Sequence, residues 1–200
     1  MPMHEHDRRR MAPSFAAASV PAAAVARTDA AGPAHAAGAV GPRDQLAIVD
    51  ALYRFGAGQD LRDRALFASA FAADATLDFS QPAGRFGVAL APFAGRGVIV
   101  ETIFAAIAAL DTTHTVTNPR ITGYDGERAG LFALVEAQHL PRGDHRRHLL
   151  LKNIYHVDLV RHDGLWLIEH MRIDNVWSAG DPTVLFANAP VAATEENPHG

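Results

Sequence analysis

The chain is expected to be an α+β protein, an antiparallel sheet with helices packed on one side. Two observations predict this. Apolar residues recur at steps of three and four through the first half of the folded part, and the period changes to two from Thr112 onward. Four alternating runs follow, 113–123, 128–140, 148–161 and 165–177. They are separated by Tyr124-Asp125-Gly126, Pro141-Arg142-Gly143-Asp144 and His162-Asp163-Gly164. Each separator holds the Gly, Asp or Pro that hairpin turns require. Long strands curling over helices leave a pocket between the two layers.

Taken in order, residues 1–42 hold fourteen alanines and five prolines, with almost no large apolar side chain after Phe15. Such a stretch cannot bury enough surface to offset the entropy of ordering it, so a disordered tail is expected there. Arg8-Arg9-Arg10, an alanine-rich run and Ala24-Val25-Ala26 mimic an export signal. Pro13 and Pro21 oppose that reading, so a cytoplasmic location is expected, with export as the alternative. Gly41-Pro42 opens a domain over 43–180, proline being suited to a first helical turn. Helix one runs from Asp44 to Gln59, with Leu46, Val49, Tyr53, Ala57 and Asp60 on one face. Asp63 can cap a second helix, Arg64 to Phe71. Thr76 to Phe79 alternates as a short strand, and Gly95-Arg96-Gly97 leads into a third helix, Val98 to Leu110. The last segment, 181–200, is an extension whose Val184, Leu185 and Phe186 would fold back over the pocket mouth.

Composition excludes several classes. The net charge is −4, and from residue 43 on fourteen basic residues face nineteen acidic ones. A mildly acidic domain does not suit nucleic acid. Cysteine is absent, which removes disulfides, thiolate catalysis and thiolate zinc sites. No run of eighteen apolar residues exists to span a membrane. There is no GxSxG, Walker loop or HExxH, and Gly56 and Gly58 end a helix rather than follow a strand, so they form no dinucleotide loop. His145-Arg146-Arg147-His148 lies at a hairpin tip, where a solvated turn explains it better than a metal.

Four polar residues stand out. Asp60 ends the apolar stripe of helix one. His114 opens the first long strand, in TTHTVTNP. His139 shares a strand face with Leu131, Ala133, Val135 and Ala137. Arg172 is in phase with Trp166, Ile168, His170 and Val176. Imidazole titrates near neutrality. A carboxylate on one ring nitrogen fixes its tautomer and steadies the imidazolium, giving acid–base chemistry with no cofactor. Singly, each residue has a plainer reading: a satisfied strand histidine, a helix-end aspartate bonded to Arg62, Arg64 or a backbone amide, a cross-strand ion pair.

The run AIVDALYRFGAGQDLRDRALFASAFAADATLDF resembles the opening of SnoaL-like domains of the nuclear-transport-factor-2-like superfamily: a helix ending in Asp60, a short helix, then Phe71-Ala72-Ala73-Asp74-Ala75 and a strand. Gly95-Arg96-Gly97, the strand opening with His114 and the final GLWLIEHMRIDNVWSAGD agree with it. The resemblance covers about 43–180 and is nearest to the branch of scytalone dehydratase, hexachlorocyclohexane dehydrochlorinase and bile-acid 7α-dehydratase. It implies a cone-shaped barrel on three N-terminal helices, and a cofactor-independent dehydratase acting on a small apolar hydroxylated carbonyl or ring compound. Asp60, His114 and His139 would be catalytic. Tyr53, Arg172 and Asn118 would bind substrate. A ketosteroid-isomerase-like isomerase, a ligand-binding module and an oxygenase accessory subunit remain alternatives. The resemblance also implies a homodimer or homotrimer through the outer sheet face. Light scattering is expected to show two or three copies, and a monomer would contradict this.

Overall fold

The computed structural model describes residues 39–186. The tail and export readings of residues 1–38, and the extension from 187 on, lie outside the described residues. Helix α1 (Pro42–Asp60) starts with proline in its first turn and Asp44 beside it, where a negative charge suits the helix dipole. Its buried face is Ile48, Leu52, Phe55 and Gln59, whereas Leu46 is 74% and Tyr53 49% exposed. The stripe traced through Leu46 and Tyr53 is therefore not the core face. Two stripes of helical spacing coexist here, and Ile48, Leu52 and Phe55 offer the larger apolar area to bury.

The Asp63 side chain caps α2 (Arg64–Ala68) by accepting from the Leu66 amide at 2.9 Å. This helix ends earlier than its apolar spacing predicts, because Phe71 already begins β1 (Phe71–Asp78). Phe55, Phe67 and Phe71 form a ring cluster with centroids 5.2–5.9 Å apart. α1 and α2 approach so closely that a Cβ on Gly58 would lie 2.5 Å from the Phe67 nitrogen. A further short helix, α3 (Ser80–Arg85), has no counterpart in the sequence reading. β2 (Phe93–Ala94) and α4 (Arg96–Ala106) follow.

The long strands are β3 (Leu110–Tyr124), β4 (Arg128–Pro141), β5 (Leu149–His162) and β6 (Leu165–Gly180), with a 3-10 turn at Pro182–Phe186. The α+β class holds. The sheet, in order β2-β1-β6-β5-β4-β3, is curved and open, not a closed barrel. It is also mixed, since β1 runs parallel to β6. β2 has two residues and pairs only with β1, so nothing joins it to β3 across the gap. One face of the sheet is apolar, and α1, α2 and α4 complete a core with Trp166, Tyr155 and the phenylalanine cluster at its centre. Among the described residues no helix is long and apolar enough to cross a membrane.

β6 carries one feature that period two cannot show. Leu159 pairs with Ile168 and Asp158 with His170, so Glu169 is an extra residue, a β-bulge. Trp166 and Ile168 face inward before it; Met171, Ile173 and Asn175 face inward after it. The alternation is thereby shifted by one position, and His170 and Arg172 are turned to solvent.

Candidate active site

Asp60 is the last residue of α1, and β3 passes beside it. Its Oδ1 accepts from His114 Nδ1 at 2.7 Å and from the Thr112 hydroxyl at 3.0 Å. Its Oδ2 accepts from the His114 backbone N–H at 2.7 Å. The carboxylate thus holds both the ring and the backbone of the same histidine. Burial raises the Asp60 carboxyl, but the hydrogen bonds and charge of His114 and the Thr112 hydroxyl outweigh it and hold it below the usual carboxylate range. Thr112 in turn accepts from Arg62 at 3.1 Å, and the same guanidinium donates to the Gln59 and Leu110 carbonyls. Arg62 therefore ties helix end to strand instead of neutralising Asp60 directly. Gly56 leaves room for this approach: a Cβ there would lie 3.2 Å from His114 Cβ.

The His114 side chain is only 4% exposed and forms part of the wall of a cavity of about 230 Å³ between the sheet and the helices. With Nδ1 committed to Asp60, Nε2 is the nitrogen free to accept a proton. His139 lines the same cavity from β4, its ring 6.2 Å from that of His114 and nearly perpendicular. Its Nδ1 is buried without a hydrogen-bond partner. Burial pushes His139 down to about 4, and the neighbouring His114 adds to this. At neutral pH His139 is therefore an uncharged imidazole.

This depression has a consequence for folding. Between pH 6.5 and 4 the unfolded chain binds a proton that the folded chain refuses, so stability falls as pH falls through that window and is unaffected by this group above it. At about 1.4 kcal/mol per pH unit, the loss from His139 reaches roughly 3 kcal/mol. Urea unfolding at pH 7 and pH 4.5 is expected to show a smaller acid destabilisation in His139→Gln than in wild type. An equal fall in both would contradict the assignment.

The structure brings Asp60, His114 and His139 together and leaves the three expected substrate-binding residues outside. Tyr53 is on the exposed side of α1. Arg172, turned outward by the bulge, pairs with Asp174 at 3.2 Å with its side chain 58% exposed. Asn118 is exposed, with φ 51° at a break in the β3–β4 register. In their place the cavity presents Gln59, Asn153 and Tyr155. Asn153 and Tyr155 alternate with Leu149, Leu151, Val157 and Leu159 on the buried face of β5, the same signal that singles out His139. Phe79, Pro82, Ala83, Phe86 and Phe93 roof the cavity, and Leu185 closes one side of it. Val184 beside it is fully buried, and Arg147 anchors that turn through Asp181 at 3.1 Å and Thr183 at 2.9 Å. The His145–His148 segment makes no metal cluster among the described residues; His145 bonds Asp111 at 2.8 Å on the surface.

An open, curved α+β sheet with an Asp–His pair on the wall of an apolar cavity defines a small-molecule pocket protein of the nuclear-transport-factor-2-like fold. The chain belongs to the SnoaL-like domain family, whose model matches residues 43–172. It is 33% identical over 144 residues to terrestric acid biosynthesis cluster protein E of Penicillium crustosum, covering 69% of this chain and 86% of that protein. Among solved structures it resembles a candidate scytalone dehydratase of Novosphingobium aromaticivorans (TM-score 0.60, 18% identity, 70% of this chain and 88% of that one). It also resembles a hexachlorocyclohexane dehydrochlorinase of Novosphingobium barchaimii (TM-score 0.58, 17% identity, 70% and 91%). These two likenesses concern the fold.

Proposed function

We propose that the protein is a cofactor-independent lyase, a dehydratase acting on a small, largely apolar hydroxylated carbonyl or ring compound. The observation that carries this reading is the Asp60–His114 pair at 2.7 Å, with the histidine in the cavity wall. A carboxylate that holds both Nδ1–H and the backbone amide leaves Nε2 fixed as a base. In the proposed reaction His114 removes a proton from the carbon next to a carbonyl, and the electron pair passes into an enolate. The enolate collapses to a carbon–carbon double bond as the C–O bond to the β-hydroxyl breaks. The leaving oxygen takes the proton back from the His114 imidazolium and departs as water. Asp60 stabilises that imidazolium, and neutral His139 supplies a hydrogen bond. A biosynthetic-cluster relative and structural neighbours that include a candidate dehydratase and a dehydrochlorinase support an elimination.

The test is deuterium exchange in heavy water with a panel of cyclic and linear ketones and β-hydroxy ketones, followed by NMR on wild type, His114→Ala and Asp60→Asn. Exchange and water loss by wild type alone are expected. Exchange without water loss would favour the isomerase. Ligands that bind equally to all three proteins with no exchange would mark a binding module.

A further inference from the structure

The cavity has a second polar point, away from the two histidines, and its hydrogen-bond polarity can be deduced. Arg85 on α3 donates to Asn175 Oδ1 at 2.8 Å. An arginine has no acceptor, so the amide atom facing it must be oxygen. Asn175 Nδ2 donates to the Trp177 carbonyl at 3.0 Å and to Asn153 Oδ1 at 2.9 Å. Carbonyls only accept, which orients the Asn175 amide a second time and leaves Asn153 no choice but to present its oxygen to Asn175. The Asn153 nitrogen is therefore turned away from Asn175 and remains a donor in the wall of the cavity, which Asn153 and Tyr155 both line. The Tyr155 hydroxyl, on the same wall, has a hydrogen of its own to give. Gln81 fixes the chain further, exchanging hydrogen bonds with the Asn175 backbone at 2.7 and 3.3 Å.

From this polarity we infer that Asn153, with the Tyr155 hydroxyl beside it, forms a donor subsite for an acceptor oxygen of the ligand, a carbonyl or an enolate, and that Arg85 is the positioning residue that sets the polarity of Asn153. The inference rests on the cavity being the ligand site and names the substrate class: a small ring compound bearing a carbonyl oxygen. Val116, Val135 and Asn153 form one cross-strand row, and His114, Ala137 and Leu151 the next inward-facing one. At ordinary sheet spacing the backbones of His114 and Asn153 are about 12 Å apart, so their side chains address one ligand from two sides. Both asparagines are buried and Tyr155 is 2% exposed, so a hydrocarbon placed there would leave donors without partners, at a cost in affinity.

The probes are 1-tetralone and tetralin, nearly the same skeleton with and without the oxygen. Binding is measured by calorimetry, and the bound carbonyl by infrared spectroscopy. Wild type is expected to bind the ketone about three- to tenfold more tightly than the hydrocarbon, with the carbonyl band shifted to lower frequency than in hexane. Tyr155→Phe and Asn153→Leu are expected to lose that preference and move the band back, while still binding tetralin. Arg85→Met is expected to weaken the preference and Arg85→Lys to restore it, since lysine also only donates. Equal or absent binding of both probes by wild type overturns the inference. So does a band that Tyr155→Phe and Asn153→Leu leave in place. Turnover plays no part: a shifted carbonyl without proton exchange keeps this subsite and sinks the lyase, and exchange with an unshifted carbonyl does the reverse.

Discussion

Asp60→Asn is expected to lower turnover about as far as His114→Ala, by roughly a hundred- to ten-thousand-fold, although it changes one atom. The reason lies in which donor can adapt. Asp60 Oδ2 accepts from the His114 backbone N–H, and Oδ1 accepts from the His114 ring and the Thr112 hydroxyl. The backbone amide can only donate, so the single oxygen of an asparagine must take the Oδ2 position. Its NH2 then faces Nδ1, which has to become an acceptor. The ring proton moves to Nε2, and the nitrogen that should take the substrate proton already carries one. Nitrogen-15 NMR of the histidine rings would show His114 protonated on Nε2 in the variant and on Nδ1 in wild type. Near-normal turnover with an unchanged tautomer would refute the pair's role.

The second large effect concerns folding. Gly58→Ala would place a methyl 2.5 Å from the Phe67 nitrogen and 2.6 Å from its Cα, atoms of a backbone that cannot swing aside. Overpacking of this kind costs up to about 3 kcal/mol, against about 1 kcal/mol gained from replacing a helical glycine. For a domain of this size the net loss lowers the thermal midpoint by several degrees. Gly97→Ala is the control: it lies in α4 with nothing within 4 Å of its Cβ position, and its midpoint is expected to stay the same or rise. Equal midpoints for the two variants would mean that α1 and α2 do not need this contact.

Much of this architecture was legible in the amino acids. The change of period at Thr112 and the three glycine-bearing turns marked the long strands to within a few residues. His139 stood out as polar among apolar strand neighbours. Asp60 stands out because it ends an apolar stripe, although that stripe lies on the more exposed side of α1. An alanine-rich helix offers several faces of equal spacing, and only packing selects among them. Arg172 was misplaced because period two has no way to register the extra residue at Glu169. Tyr53 and Asn118 failed for the same kind of reason: spacing tells which residues share a face, not which face meets the cavity. Asn153 and Tyr155 carry the same signal as His139 in the next strand, but an amide and a phenol suggest no chemistry by themselves. Gln59 lies one position before Asp60. α3 was hidden because six residues containing a proline and a glycine have no helical signature of their own.

The grip of α1 on β3 has another side. β3 pairs with β4 alone, so it is an open edge of the sheet, and the main-chain groups it turns outward are an invitation to a foreign strand. The end of α1 occupies two of them, at the start of the strand. Asp60 takes the His114 N–H, and Arg62 donates to the Leu110 carbonyl, as a neighbouring strand would. The carboxylate that holds the histidine thus also blunts the first part of this edge. Asparagine at position 60 keeps that contact, whereas alanine removes it and leaves an unpaired amide on an exposed edge. An Asp60→Ala protein would therefore lose colloidal stability along with activity, and its insolubility could be mistaken for a failure of the core.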